Sequence, residues 1–243
     1  MIVLSRRSLL AGAAALTAPR RPDFFDGQTI HIDGAEVVLT DIVAPSPAAF
    51  AGRGEPGAEF TRAALQEFLR TSRKLSFTEP PRDRWGRLSG PAQFLRADGS
   101  RTTVQAALLE AGGARVSPQT NDHEILDTYF AAEDAARALR NGIWSLPTYA
   151  VRDALEERRA FGFQIYRGAV QSTSETGGRI YFNFGENFRT DLTATVARGT
   201  FRRWQRNDPP SFYAGRIVEL RGVVEWVNGP SIELRHERQL RVV

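Results

Sequence analysis

Cysteine is absent from this 243-residue chain, and histidine is scarce. Without cysteine the fold has no disulfide, no thiolate metal ligand and no cysteine nucleophile, so packing alone must hold it together. The three histidines, His31, His123 and His236, lie far apart with no ligand spacing, which argues against a zinc site. We therefore expect no metal and no small-molecule cofactor, except Ca²⁺ under one alternative given below.

Lysine is nearly absent as well, since Lys74 is the only lysine among 32 basic residues. The net charge of +4 is therefore carried by arginine, whose planar fork suits phosphate. A GC-rich coding bias would explain the same preference. The apolar content of 42% is ordinary for a globular protein and indicates no disordered composition.

Long apolar runs are missing except at the start, where Met1–Ala18 combines two arginines with a Gly/Ala/Leu stretch. The stretch is short for a membrane span, and Ser5-Arg6-Arg7-Ser8-Leu9-Leu10 resembles a twin-arginine export signal. Residues 1–20 are therefore predicted to be a targeting segment that sends the protein to the periplasm or the exterior. An ordinary secretory signal is the alternative, and Pro19 after Ala18 leaves an uncleaved N-terminal anchor open.

A β-hairpin is predicted at the start of the following chain. Two alternating apolar runs, Thr29–Ile32 and Glu36–Val43, flank the turn pair Asp33-Gly34, in which both residues tolerate a positive φ. The hairpin should end at Ala44-Pro45-Ser46. A Gly/Pro-rich loop follows, after which Glu55 or Glu59 could hold a carboxylate near a pocket.

Three helices and two strands are predicted next. The strands are Lys74–Glu79 and Leu88–Leu95, and the helices are Gly57–Thr71, Thr103–Ala111 and one capped by Asn121-Asp122. Two apolar stripes at helical spacing should face the core: Phe60, Ala64, Leu65, Phe68 and Leu69 in the first helix, and Leu126, Tyr129, Ala132, Ala136 and Leu139 in the third. Trp144 is expected to close the bottom of a barrel.

Four motifs in this order resemble the staphylococcal nuclease family: Asp26-Gly27-Gln28-Thr29, the strand ending in Pro45-Ser46, Asp83-Arg84-Trp85-Gly86-Arg87, and Gly142-Ile143-Trp144. The resemblance implies an OB-like five-stranded barrel with three helices over residues 24–147. The fold class is then mainly β with α, that is, α+β.

The resemblance also implies that the active site is degenerate. In the family, two aspartates bind calcium, a glutamate acts as general base and two arginines clamp the phosphate. At the matching positions this chain has Gln28 and Val43 for the aspartates, Ser46 for the glutamate and Val38 for the first arginine; Arg87 alone is retained.

Other residues of this pocket have two interpretations. Arg87 either binds phosphate or belongs to a solvated structural turn. Asp26 and Asp41 are the acidic residues left nearby, and Asp41 could replace Val43 as a ligand only if no bulge interrupts their strand.

A second domain is predicted after a charged linker helix at residues 148–160. From residue 161 the pattern is β: strands at Gln164–Ser172, Arg179–Phe184, Asp191–Val196, Arg216–Val227 and Ser231–His236, with a short helix near Arg198–Arg206. This order is that of an OB fold, so residues 161–243 are predicted to form a second small OB-like barrel. In Arg216–Val227, Glu219, Arg221 and Glu225 should share the solvated face.

A basic-aromatic set in this domain suggests a surface for single-stranded nucleic acid, with Arg179, Tyr181, Arg202 and Arg203 as its candidate contacts. Phe182, Phe184, Phe188, Trp204, Arg189 and Arg206 belong to the same set. The alternative is that these aromatic residues form the core of a small barrel.

Three functions remain open from the sequence. The first is an exported, non-hydrolytic nuclease-fold protein that binds nucleic acid, another polymer or an envelope protein. The second is an active Ca²⁺-dependent phosphodiesterase with a rearranged site. The third is a structural module for envelope assembly. No transmembrane domain is expected beyond a possible N-terminal anchor.

Overall fold

The computed structural model describes two compact units, and the boundary between them along the main chain falls between Thr148 and Tyr149. The first unit comprises residues 1–116 and 120–148, and the second comprises 117–119 and 149–243. The residues described are 2–4, 24–26, 28–32, 35–47, 54–71, 74–77, 82, 86–96, 98–156, 159–187, 189–205, 208–226 and 229–243. No helix in these ranges is long and apolar enough to span a bilayer.

Among the described residues, the first unit contains three short sheets and three α-helices. Its elements are β1 Ile2–Leu4, β2 Phe24–Asp26, β3 Thr29–Ile32, β4 Ala35–Leu39, β5 Ile42–Val43, α1 Ala58–Thr71, β6 Lys74–Phe77, β7 Leu88–Gly90, β8 Ala92–Leu95, β9 Arg101–Thr103, α2 Val104–Glu110, β10 Arg115–Val116 and α3 His123–Ala138. The strand orders of the three sheets are β2-β3-β4-β7, β1-β6-β8-β9 and β5-β10. The predicted α+β class is confirmed.

Part of the predicted targeting segment is described. Within residues 1–20, β1 pairs antiparallel with β6, so that Ile2 lies opposite Phe77. Residues 1 and 5–20 lie outside the described part of the chain.

The predicted hairpin is present, but its second strand is interrupted. Strands β3 and β4 pair as expected, while the turn Asp33-Gly34 lies outside the described residues. β4 ends at Leu39, and the chain resumes as β5 at Ile42, because Asp41 adopts a left-handed φ of 66° that breaks the strand. The prediction of one strand over Glu36–Val43 is therefore wrong.

The predicted strand Leu88–Leu95 is divided in the same way. β7 pairs parallel with β4, whereas β8 pairs with β6 and β9, and Pro91 lies between them. Proline cannot donate a ladder hydrogen bond, so the chain changes sheet at this point. Owing to these two breaks, no closed barrel is detected among the described residues of this unit.

The buried amide of Gln105 on α2 connects the two broken strands. Its Oε1 accepts a hydrogen bond from the Ala92 amide at 3.2 Å, and its Nε2 donates to the carbonyls of Gly90 at 3.0 Å and Thr40 at 3.4 Å. Backbone groups that leave a ladder need other partners when they are buried. Gln105 supplies three of them at once.

The helices begin and end close to their predicted positions. The Oγ1 of Thr103 caps α2 by accepting from the Ala106 amide at 3.0 Å, and the Oδ1 of Asp122 caps α3 by accepting from the Ile125 amide at 3.1 Å. Leu139, however, is 72% exposed; it is the C-cap residue of α3, which ends at Ala138, and the predicted stripe is wrong at this position.

The apolar stripe of α1 differs from the predicted one at one end. Leu65 and Leu69 are buried, with Ala64 and Phe68 packed against the core. Phe60 is 43% exposed, and Thr61 takes the buried position beside it, where its hydroxyl donates to the Gly113 carbonyl at 2.7 Å.

The end of this unit is closed by Ile143 rather than by Trp144. Ile143 is fully buried in a 3₁₀ turn, whereas Trp144 is only partly buried. The Arg137 guanidinium lies 5.4 Å from the centre of the Trp144 ring, a cation–π contact. Ile143 therefore closes this end of the unit, and the prediction that Trp144 does so is wrong.

The second unit is a single curved sheet with short helical turns. Its elements are β11 Arg152–Asp153, β12 Gly162–Ala169, β13 Ser172–Thr176, β14 Arg179–Asn183, β15 Thr193–Ala197, α4 Arg198–Phe201, β16 Ile217–Trp226, β17 Pro230–Glu233 and β18 Leu240–Val242. The sheet order is β11-β12-β16-β17-β15-β14-β13, with β18 beside β16. The pair β15–β17 is parallel, and the order is that of an OB fold whose first strand is split into β12 and β13.

The split first strand changes partners between two consecutive residues. The Val170 amide donates to the Arg216 carbonyl at 3.0 Å, toward β16, and the Gln171 amide donates to the Asn183 carbonyl at 2.8 Å, toward β14. The sheet therefore bends back on itself at this bond. The predicted strand Gln164–Ser172 ends at Ala169, and β13 then occupies residues 172–176, most of the stretch from Thr173 to Gly178 that the sequence predicts as a loop. No closed barrel is detected among the described residues of this unit.

The predicted linker helix is wrong. Residues 152–153 form β11, which pairs parallel with β12, and Tyr149, Ala154 and Ala160 are buried. A side chain at Gly168 would lie 2.5 Å from the Cβ of Ala154, so glycine leaves room for this packing. Residues 157–158 lie outside the described part.

The predicted solvated face of β16 is also wrong at two positions. Glu219 and Arg221 are buried and form an ion pair through Oε1 and Nη2, while Glu225 is exposed. Alternation places these residues on one face but cannot show whether that face meets solvent.

Candidate functional site

The positions matched by the resemblance lie together in the first unit. Val38 on β4 is opposite Thr29, and Gln28 immediately precedes β3. The Leu39 amide donates to the Gln28 carbonyl at 2.7 Å, and the Gln28 side chain donates from Nε2 to the Ile42 carbonyl next to Val43. Positions 28, 38 and 43 therefore lie near one another, at one corner of this unit.

The chemistry at this corner is unlike that of a calcium site. Calcium takes hard oxygen ligands, usually including carboxylates, but Gln28 points a hydrogen-bond donor at the Ile42 carbonyl. The side chain of Val43 offers no ligand atom. No group of three or more His, Cys, Asp or Glu residues suited to a metal occurs in the described part of the chain.

A carboxylate does lie beside Ser46, but it comes from another residue. The Glu55 Oε2 accepts a hydrogen bond from the Ser46 amide at 2.7 Å, and the Glu55 amide donates to the Ser46 carbonyl at 2.7 Å. These two bonds join the ends of a loop whose residues 48–53 lie outside the described ranges. Glu59, the other acid suggested by the sequence, pairs instead with Arg62 on α1 at 2.6 Å.

Arg87 is paired with an acid that the sequence reasoning missed. Its Nη1 lies 3.4 Å from the Oε1 of Glu36, and both side chains are partly exposed. The pairing follows from the sheet register, because Leu88 lies opposite Val37 and the preceding Arg87 is brought beside Glu36. A carboxylate at this distance competes with phosphate for the guanidinium. Of the surrounding motif, residues 83–85 lie outside the described part.

Asp41 and Asp26 are placed differently. Asp41 is buried in the turn between β4 and β5, and its Oδ1 accepts from the Thr120 amide at 2.7 Å. The alternation argument that would align it with Val43 does not apply, because it is not on a strand. Asp26 ends β2 opposite Thr29, beside an irregularity in the register.

The buried phenol of Tyr129 lies near Asp41. Burial raises the pKa of Tyr129, and the negative charges of Asp41 and Asp122 add to this effect, while a hydrogen bond with Thr103 opposes it. The phenol is therefore neutral at ordinary pH. We therefore assign Asp41 a structural role, in which its carboxylate holds the segment just before α3.

The candidate nucleic-acid contacts of the second unit are only partly brought together. Arg179 and Tyr181 share one face of β14, because Ile180 and Phe182, which alternate with them along the strand, are buried on the other face. The Arg179 Nη2 donates to Glu233 Oε1 and Thr195 Oγ1, each at 2.8 Å. The hydrogen bond from Arg179 holds the pKa of Glu233 below its usual value, so this arginine is matched by a carboxylate.

The other two arginines lie in the turn after α4. Arg202 and Arg203 are exposed, and the Arg203 Nη2 donates to Thr200 Oγ1 at 3.3 Å. Among the described residues, their hydrogen bonds do not join them to Arg179, whose guanidinium bonds to Glu233 and Thr195.

Most of the predicted aromatic platform is core. Phe182, Phe184 and Trp204 are buried, which is the alternative that the sequence left open, and Tyr181 is partly exposed. Phe188 and Arg206 lie outside the described part, and Arg189 is exposed.

Sequence reasoning missed a polar groove at the end of β14. Gln171, Ser172, Asn183, Gly185 and Glu186 line an open groove of about 390 Å³. No motif marks it, because its lining comes from two separate stretches of chain that meet only where β13 pairs with β14.

Comparison with known proteins identifies one domain. A family model described as staphylococcal nuclease homologue matches residues 36–146, which run from β4 to the 3₁₀ turn after α3. A search of curated proteins finds no match for the chain.

Proposed function

Residues 36–146 belong to the staphylococcal nuclease homologue family, and on that premise we propose that the protein is an exported, non-hydrolytic member that acts by binding a polymer or a protein partner. The observation that carries the proposal is the hydrogen bond from the Gln28 side chain to the Ile42 carbonyl. This bond places a hydrogen-bond donor, already paired with the Ile42 carbonyl, at the corner where the family binds a cation.

The remaining site residues support the same conclusion. Arg87 lies against Glu36, so its charge is partly neutralised before any phosphate arrives. Electrostatic stabilisation of the transition state is usually the largest catalytic contribution, and here the cation ligands, the base and one arginine are replaced. Binding requires none of them.

One observation favours the alternative of an active phosphodiesterase. The Glu55 carboxylate accepts a hydrogen bond from the Ser46 amide, close to the position of the family's general base. It would have to act without the two aspartates, and we therefore rank this function second. A structural role in envelope assembly is the third candidate.

The protein is expected to show no Ca²⁺-dependent hydrolysis of DNA or RNA above background. A variant carrying Gln28→Asp, Val38→Arg, Val43→Asp and Ser46→Glu, together with Glu36→Gln to release Arg87, should gain measurable hydrolysis. Its melting temperature should also rise with added Ca²⁺, because the two carboxylates introduced at this corner, at positions 28 and 43, repel one another until a cation binds.

The matched control carries asparagine instead of aspartate at positions 28 and 43, which keeps side-chain size but removes the charges. Chelator-sensitive digestion of DNA by the unmodified protein would contradict the proposal and favour the alternative that uses Glu55. The calcium-dependent shift in melting temperature reports on the geometry of the corner even when hydrolysis stays low.

Export by the twin-arginine route is expected from the sequence alone. Replacing Arg6 and Arg7 with lysine should leave the protein in the cytoplasm, because that route reads the arginine pair. Cell fractionation and immunoblotting measure the result, with Arg20→Lys and Arg21→Lys as the control pair. Unchanged export of the Arg6/Arg7 variant would indicate the general secretory route.

A further inference from the structure

One face of the second unit is rich in hydroxyl and amide groups. Ser172, Ser174 and Thr176 on β13 lie directly opposite Asn183, Tyr181 and Arg179 on β14. Because Ile180 and Phe182 point into the core, these side chains lie on the opposite, outer face. The three β13 side chains are exposed.

The groove at the end of this face is bordered by a loop that the Asp191 side chain holds. Gly185 belongs to the groove lining, and a Cβ there would lie 2.1 Å from Asp191 Oδ2, so glycine leaves room for that carboxylate. The same Oδ2 accepts from the Asn187 amide at 2.8 Å, and Thr190 Oγ1 donates to Asp191 Oδ1 at 2.9 Å. Asp191 therefore holds the loop that carries Glu186.

A buried hydroxyl on this face lacks a partner. Thr193 on β15 lies directly opposite Asn183 and is 8% exposed, and its Oγ1 makes no hydrogen bond in the described part of the chain. Asn183 itself donates from Nδ2 to the Ser172 Oγ at 3.1 Å. A buried hydroxyl without a partner is costly, and a hydroxylated ligand that moved the Asn183 amide would supply one.

The charges on this face disfavour a polyanion. Arg179, the cation of the set, is bonded to Glu233, and the exposed Glu186 carboxylate in the groove would repel phosphate. Carboxylate and amide oxygens accept hydrogen bonds, so Glu186, Gln171 and Asn183 suit the hydroxyl groups of an uncharged ligand. The ring of Tyr181 lies about 7 Å along β14 from Asn183 and offers an apolar surface to a ligand long enough to reach both.

We propose that this face and its groove bind an uncharged oligosaccharide chain. The ligand face of an OB fold is centred on its strands 2 and 3, here β14 and β15, and binds oligosaccharides as well as oligonucleotides. A lining of hydroxyl, amide and carboxylate groups with its one cation already paired selects the former. The inference rests on the binding role proposed above and names its ligand class. It does not depend on the loss of hydrolysis.

The test uses the full-length protein and three uncharged hexasaccharides, of α-glucose, β-glucose and N-acetyl-β-glucosamine, titrated by NMR and calorimetry. At least one should bind, with an affinity that changes little between low and high salt. Asn183→Ala and Glu186→Gln should each weaken binding about tenfold, and Tyr181→Ala should do the same. Arg202→Ala, on an exposed turn outside the groove, is the control and should bind as the unmodified protein does.

A single-stranded oligothymidylate serves as the competing probe. Binding of this probe that falls steeply with salt and is lost in an Arg202→Ala/Arg203→Ala variant would overturn the proposal in favour of nucleic acid. Failure of all three hexasaccharides to bind at millimolar concentration would overturn it as well. Neither result bears on the nuclease assay, so failure of this inference and failure of the proposed loss of hydrolysis are distinguishable.

Discussion

Replacing Arg221 with alanine is expected to lower the free energy of unfolding by about 3–5 kcal/mol. Arg221 is fully buried on β16, and Glu219, its ion-pair partner on the same strand, is 2% exposed. Removing the guanidinium leaves the Glu219 carboxylate buried without the charge of Arg221, and this loss of compensation is what makes the substitution costly. Urea unfolding of the full-length protein, followed by circular dichroism, measures the loss.

Two further variants separate the cost of removing one member of the ion pair from the net contribution of the pair to the free energy of unfolding. Glu219→Leu combined with Arg221→Met should recover most of the stability, because well-packed apolar side chains often replace a buried ion pair at little cost. Arg235→Ala, which removes an exposed ion pair of 3.3 Å with Glu233, should cost less than about 1 kcal/mol. A loss that small for Arg221→Ala would contradict the burial of the pair.

Replacing Gly112 with alanine is the second change expected to have a large effect. Gly112 follows α2 with a φ of 71°, and a Cβ there would lie 2.2 Å from the Asn141 carbonyl oxygen. The obstacle is backbone, which cannot rotate away as a side chain can. Backbone strain in the left-handed region and overpacking together should lower the free energy of unfolding by about 2–5 kcal/mol. The loss is measured for the unit formed by residues 1–116 and 120–148.

Gly99 provides the matched control for this substitution. It has a similar φ of 88°, but nothing lies within 4 Å of the Cβ that alanine would add. Gly99→Ala should therefore cost only the backbone strain, about 1–2 kcal/mol. Equal losses for the two variants would show that the Asn141 carbonyl moves freely, and that the close packing between the ends of α2 and α3 is not rigid.

The loss at Gly112 also bears on the candidate site. The Gly112 carbonyl accepts from the Ile143 amide at 2.9 Å, so this contact joins the C-terminal end of α2 to the turn after α3. Gln105, on the same helix, supports the breaks in β4–β5 and β7–β8 that position Arg87 and Val43. Loosening α2 should therefore disturb the corner that contains Gln28 and Val43 without any substitution in it.

The candidate site was half predictable from the sequence. The motifs predict one pocket for Gln28, Val38, Val43 and Arg87. In the structure β4, which carries Val38, pairs with β3 and β7, and the Gln28 side chain donates to the Ile42 carbonyl. The partners that decide their chemistry, Glu36 and Glu55, follow only from the register and the loop closure. Neither occupies a position that a motif singles out.

The groove of the second unit was not predictable. Gln171 and Asn183 are distant in sequence and ordinary in type, and no periodicity links them. Their meeting depends on the change of strand partner between Val170 and Gln171, where the amides donate in opposite directions. Such a bend is a property of the whole sheet.

By itself the sequence determined what local chemistry can specify: the helix caps at Thr103 and Asp122, the hairpin of β3 and β4, and the residue types at the positions that the resemblance matches. These depend on residues a few positions apart or on residue type alone. The tertiary structure alone decided which polar groups lose contact with water. Glu219 and Arg221 have the alternation of a solvated face but are buried, because burial is set by segments distant in the chain that no local pattern records.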